Sequence, residues 1–107
     1  MVDRNGENFM SFIWLNKQGV QSSKGFIVQR TGRFTAEYME NNKKITIDLE
    51  NGQLSDGKYC EIIEADSFCK WDDGSYVSEK KQIEILENFK AAMEFQELSV
   101  IINKNET

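Results

Sequence analysis

Residues 34–50 read F-T-A-E-Y-M-E-N-N-K-K-I-T-I-D-L-E, and this stretch decides the fold class. Phe34, Ala36 and Tyr38 alternate with Thr35, Glu37 and Met39. After Asn41-Asn42, Ile45, Ile47 and Leu49 alternate with Lys44, Thr46, Asp48 and Glu50. Period-2 patterning of this kind marks antiparallel strands with one face toward a core and one toward water. Phe34, Ala36 and Tyr38 are expected inward. Asparagine tolerates positive φ, so Asn41-Asn42 is expected to make a tight hairpin turn.

Working outward, residues 9–15 (F-M-S-F-I-W-L) are apolar at both alternating positions, which predicts a strand buried on both sides or a strand crossing under a helix. Residues 16–19 predict a turn, and Gly25 to Thr31 a second strand with Phe26 and Val28 on one face. Asn51-Gly52 and Ser55-Asp56-Gly57 punctuate the middle, and 59–65 with 67–72 predict a further hairpin. Ser78 is placed as a helix N-cap with Glu79 in the first turn. From Glu79 to about Gln96 the period becomes helical, with Ile85, Leu86, Phe89, Ala92 and Met93 on one stripe. Leu98 to Ile102 returns as a strand. The expected architecture is α+β: an antiparallel meander of six or seven strands packed on one long helix near the C-terminus, in a single domain over 1–107, with 1–8 and 103–107 flexible.

Composition narrows the chemistry. The 107 residues contain no histidine and no proline. Without histidine, the commonest general base, the Ser-His and Cys-His pairs and the commonest zinc ligand are all excluded. Cys60 and Cys69 do not have metal-ligand spacing, and in a reducing compartment they are expected as free thiols. No apolar run nears the roughly 20 residues of a membrane span, and residues 1–8 lack the apolar segment of a signal peptide. A cytoplasmic protein is expected, with no membrane partner and no cofactor.

Charge gives the functional direction. From Glu37 to Asp73 there are ten carboxylates against four lysines, a balance of −6, in a chain whose total is −5. Such a field repels nucleic acid and attracts basic protein surfaces. The candidate contact residues are the acidic strand positions Glu37, Glu40, Asp48, Glu50, Glu61 and Glu64. To these the segment C-K-W-D-D-G-S-Y (69–76) adds an aromatic-acid turn of Trp71, Asp72, Asp73 and Tyr76. Tryptophan and tyrosine beside carboxylates suit an interface anchor that takes a partner's Arg or Lys. A core position for Trp71 is equally open. Arg33 and Glu37 are spaced to pair on the surface, and Tyr38 is a second possible anchor.

Several segments together resemble the immunity proteins of bacterial polymorphic toxin and contact-dependent growth inhibition systems. They are W-L-N-K-Q-G-V (14–20), G-F-I-V-Q-R-T-G-R-F-T-A-E-Y (25–38), K-W-D-D-G (70–74) and the helix carrying I-L-E-N-F-K-A-A-M-E-F (85–95). The resemblance implies a non-enzymatic protein that binds the C-terminal domain of a cognate toxin, in a 1:1 complex, and blocks it. Many such toxins are nucleases with basic substrate surfaces, which an acidic inhibitor can cover. Two other classes remain open: a regulatory or scaffold β-module, and a small enzyme using two carboxylates.

Overall fold

The computed structural model describes residues 10–103. Ten elements follow one another: β1 (Phe12–Asn16), β2 (Gly19–Ser22), β3 (Ile27–Gly32), β4 (Thr35–Glu40), β5 (Lys43–Asp48), β6 (Glu50–Gln53), β7 (Tyr59–Glu64), a 3₁₀ turn (Ala65–Phe68), α1 (Glu79–Phe95) and β8 (Val100–Asn103). The first five strands form one antiparallel sheet in chain order. The last three form a second sheet, β6-β7-β8. The α+β class and the long helix near the C-terminus stand as the sequence predicts, with eight strands among the described residues in two sheets. The flexible ends expected over 1–8 and 103–107 lie outside the described residues, except for Asn103, which closes β8.

Alternation and register together build the core. Val20, Val28, Tyr38 and Ile45 face one another across β2 to β5 and are all buried. Ala36 and Ile47 form the next row. Ile85, Phe89, Ala92 and Met93 of α1 close over these rows, with Phe89 against Phe68 at 5.8 Å between ring centroids. Truncating a phenylalanine at such a site costs about 3–5 kcal/mol. Leu98, Val100 and Ile102 pack against the same cluster, so both sheets share one core.

Local signals act where they were read. Asn41 and Asn42 take φ of 51° and 64°, the paired positive values of a two-residue hairpin whose twist matches its strands. The Ser78 hydroxyl accepts from the Lys81 backbone N–H at 3.2 Å and caps α1. At the other end Glu97 adopts φ 63°, and the Leu98 N–H reaches back to the Met93 carbonyl at 3.0 Å, which turns the chain toward β8.

Other expectations are corrected. β1 is not buried on both sides: it is the edge of the five-stranded sheet, and Ile13, Trp14 and Leu15 are exposed. A buried strand and an apolar edge strand carry the same letters. β2 is a separate strand of four residues, too short to show a period. Phe34 lies outside in the β3–β4 turn, 52% exposed, with the Arg33 guanidinium 5.5 Å from its ring centroid. Asn51-Gly52 is not a turn but lies within β6, where a side chain at Gly52 would strike Ile62 at 2.6 Å. The 59–72 hairpin does not form. β7 instead runs into the 3₁₀ turn, and its neighbours are antiparallel β6 and parallel β8. Cys60 and Cys69 are free thiols.

Candidate functional site

The ten candidate contact residues fall into three groups. The first lies along β5. Glu37, Thr46 and Asp48 stand on the face of the five-stranded sheet turned away from the core. Glu37 pairs with Lys44 at 3.1 Å and not with Arg33. β5 is an edge strand, and the 72–76 turn covers it. The Asp72 N–H donates to the Lys44 carbonyl at 2.7 Å, while its carboxylate accepts from the Thr46 N–H at 2.9 Å and the Thr46 hydroxyl at 2.6 Å. Asp72 thus completes the hydrogen bonds that an exposed edge leaves open. Asp73 accepts from the Ser75 N–H at 2.8 Å and lies 3.7 Å from Lys43. Its Ser75 hydrogen bonds, aided by Lys43, hold the carboxyl below its ordinary range. Tyr76 stands 79% exposed beside this band, with Lys70 Nζ 5.0 Å from its ring centroid.

The second group is withdrawn from solvent. Trp71 is 9% exposed and belongs to the core, with Lys43 Nζ 5.8 Å from its ring centroid. Tyr38 is fully buried and is no anchor. Its hydroxyl donates to Glu40 and accepts from Asn88 Nδ2 at 3.1 Å. Burial, with Glu40 adding to it against Asn88, drives the Tyr38 phenol far above its ordinary range. Glu40 shares the inward side of β4 with Tyr38 and takes Lys81 Nζ on its other oxygen. Burial draws the Lys81 ammonium down, but Glu40 and Glu84 outweigh it and leave its pKa raised.

The third group lies on the second sheet. Glu50 is exposed on β6. Glu64, on β7, accepts from Asn103 Nδ2 at 3.2 Å. Glu61 is 3% exposed, between Tyr59 and Ile63 on the inward side of the same strand. Glu61 Oε1 accepts from the Tyr59 hydroxyl, while Oε2 is buried without a hydrogen bond.

Around Glu61 lies a cleft of about 390 Å³ between the end of β3 and β7, lined by Gln18, Arg30, Gly32, Arg33, Leu49, Tyr59 and Glu61. Arg30 follows Val28 on the inward side of β3, and its Nε is also buried without an acceptor. Tyr59 is 49% exposed on the rim, 2.6 Å from Asn51 Oδ1. Desolvation and Glu61 push its phenol up to about 12, against the pull of Arg30 and Arg33. Sequence reasoning missed this cleft. The signal was available in parity, since Arg30 is two residues from Val28 and Glu61 two from Ile63, so each must face the core side.

Among the described residues no group of three or more Cys, Asp or Glu is placed to hold a metal ion. No helix there is long and apolar enough to cross a membrane. The chain matches no protein-family model, no curated protein and no solved structure.

Proposed function

We propose that the protein is an immunity protein: a cytoplasmic, non-catalytic inhibitor that binds a cognate toxin domain one-to-one and covers its basic, nucleic-acid-binding surface. The observation that carries this reading is the acidic band of Glu37, Asp48, Asp72 and Asp73 along β5, with the exposed Tyr76 beside it. The sequence segments that resemble immunity proteins add to it. The band is narrower than composition implies, because Glu40, Glu61 and Trp71 are turned inward. Asp48 is its least compensated carboxylate, with no ion pair among the described residues, whereas Lys44 and Lys43 offset Glu37 and Asp73. Charge arranged this way mainly raises the association rate and selects the partner. Tyr76 supplies aromatic area at the edge of the field.

The test is co-expression with the product of the adjacent upstream reading frame, then kinetics on the purified pair. Reversing Glu37, Asp48 and Asp73 to lysine should slow association about tenfold or more and flatten its salt dependence. Asp72 is left intact because it holds the β5 edge. An unchanged rate and salt slope in a folded triple variant rules out the band as the contact surface.

A further inference from the structure

The chain places a tyrosine two residues before an inward glutamate twice, at Tyr38–Glu40 and at Tyr59–Glu61, and in each pair the phenol donates to Oε1. At Glu40 the second oxygen receives the Lys81 ammonium. At Glu61 the second oxygen has no donor, although the residue is the more deeply buried of the two. Two cationic side chains line the same cleft, yet no ion pair joins Arg30 or Arg33 to Glu61, and Arg30 Nε lacks an acceptor. A buried carboxylate and a buried guanidinium N–H held apart in one cleft suit a molecule that brings a donor cation to one and an acceptor anion to the other.

We propose that this cleft binds a free α-amino acid, its ammonium on Glu61 Oε2 and its carboxylate on Arg30 Nε and the Arg33 guanidinium. The ammonium does for Glu61 what Lys81 does for Glu40. A lone cation is disfavoured, because the two arginines outnumber the one carboxylate. A lone anion leaves Glu61 unsatisfied and repels it. The volume, about 390 Å³, suits a small ligand. The half-exposed Tyr59 ring offers apolar surface to the side chain. Beyond the cleft, an open stretch of surface bounded by Arg33, Asn51, Gln53 and Tyr59 leaves it room to extend. The proposal is independent of toxin binding, since the cleft shares no residue with the β5 band.

The experiment is a titration of the intact chain followed by backbone amide NMR, with L-leucine, L-glutamine and L-glutamate as probes. At least one should move the Gly32, Arg33, Tyr59 and Glu61 amides saturably. Isocaproate and isoamylamine, which are leucine without its ammonium and without its carboxylate, should each bind at least about tenfold more weakly than leucine. Glu61→Gln should weaken the amino acid about tenfold and leave isocaproate as tight or tighter, because the carboxylate that repels it is gone. Should Glu61→Gln fail to fold, the exposed-site variant Arg33→Met carries the test and should weaken leucine and isocaproate alike. The proposal is overturned if none of the three amino acids gives a saturable shift, or if isocaproate or isoamylamine equals leucine. It is equally overturned if N-acetylglutamine amide binds as well as the free amino acids, which makes the cleft a reader of protein side-chain amides, or if the variants leave affinity unchanged.

Discussion

Tyr38–Glu40 and Tyr59–Glu61 are one local arrangement in two settings. Both glutamates point inward because period 2 places them beside core residues, Tyr38 in one case and Ile63 in the other. Both receive a phenol. They differ in what the rest of the chain brings. α1 delivers Lys81 to Glu40 and Asn88 to Tyr38, across 41 and 50 residues of sequence. The strands around Glu61 deliver arginines to the same cleft but not to the carboxylate. Whether a buried carboxylate is fully satisfied thus depends on what distant elements bring to its last oxygen, not on its burial alone.

The comparison breaks most visibly at Glu40. Glu40→Gln should lower stability by about 2 kcal/mol in urea unfolding, because it weakens the acceptor of the buried Tyr38 phenol and takes from Lys81 one of its two carboxylates, Glu84 remaining. A loss near zero means that the Lys81 pair is idle in solution and the two sites are alike. Next in size is Asp72→Ala, which removes the acceptor for both Thr46 groups on the β5 edge. It should cost about 1 kcal/mol and speed amide exchange at Thr46. Glu61→Gln should leave stability unchanged or raise it by up to about 1 kcal/mol, since it removes an incompletely satisfied buried charge. A loss matching that of Glu40→Gln means that Glu61 is as fully satisfied in the fold as Glu40.

The smallest effect is on pH. A phenol held neutral in the fold contributes stability that is complete below its ordinary value of 10.0 and is lost as pH rises toward about 12. Stability should therefore fall across that interval, and Tyr59→Phe should reduce the slope. In an ultraviolet titration of the folded protein, the transition near pH 12 should vanish in the same variant.

Much of the fold was legible in the letters. The β4–β5 hairpin, its Asn41-Asn42 turn, the Ser78 cap and the buried stripe of α1 each rest on interactions within a few residues, which local spacing encodes. The β1 edge was misread because an apolar strand states only that it seeks cover, not whether cover arrives. The 59–72 hairpin was misread because turn letters at 65–68 serve a 3₁₀ turn equally well. Of the candidate contacts, Glu37, Asp48, Asp72 and Asp73 lie on or beside the β4–β5 pair, interleaved with Lys43 and Lys44. Glu40 and Glu61 are turned inward, Glu40 by parity with Tyr38 and Glu61 by parity with Ile63 in a strand to which no parity was assigned.

The sequence by itself determined which residues alternate, where the helix begins, and that carboxylates crowd the middle of the chain. Those are properties of neighbours, fixed by backbone periodicity and side-chain chemistry. Only the tertiary structure decided that Asp72 seals an edge, that Glu40 meets Lys81, and that Glu61 faces a cleft with Arg30. Each depends on elements distant in sequence arriving at one place, and whether a buried charge finds its partner is settled only there.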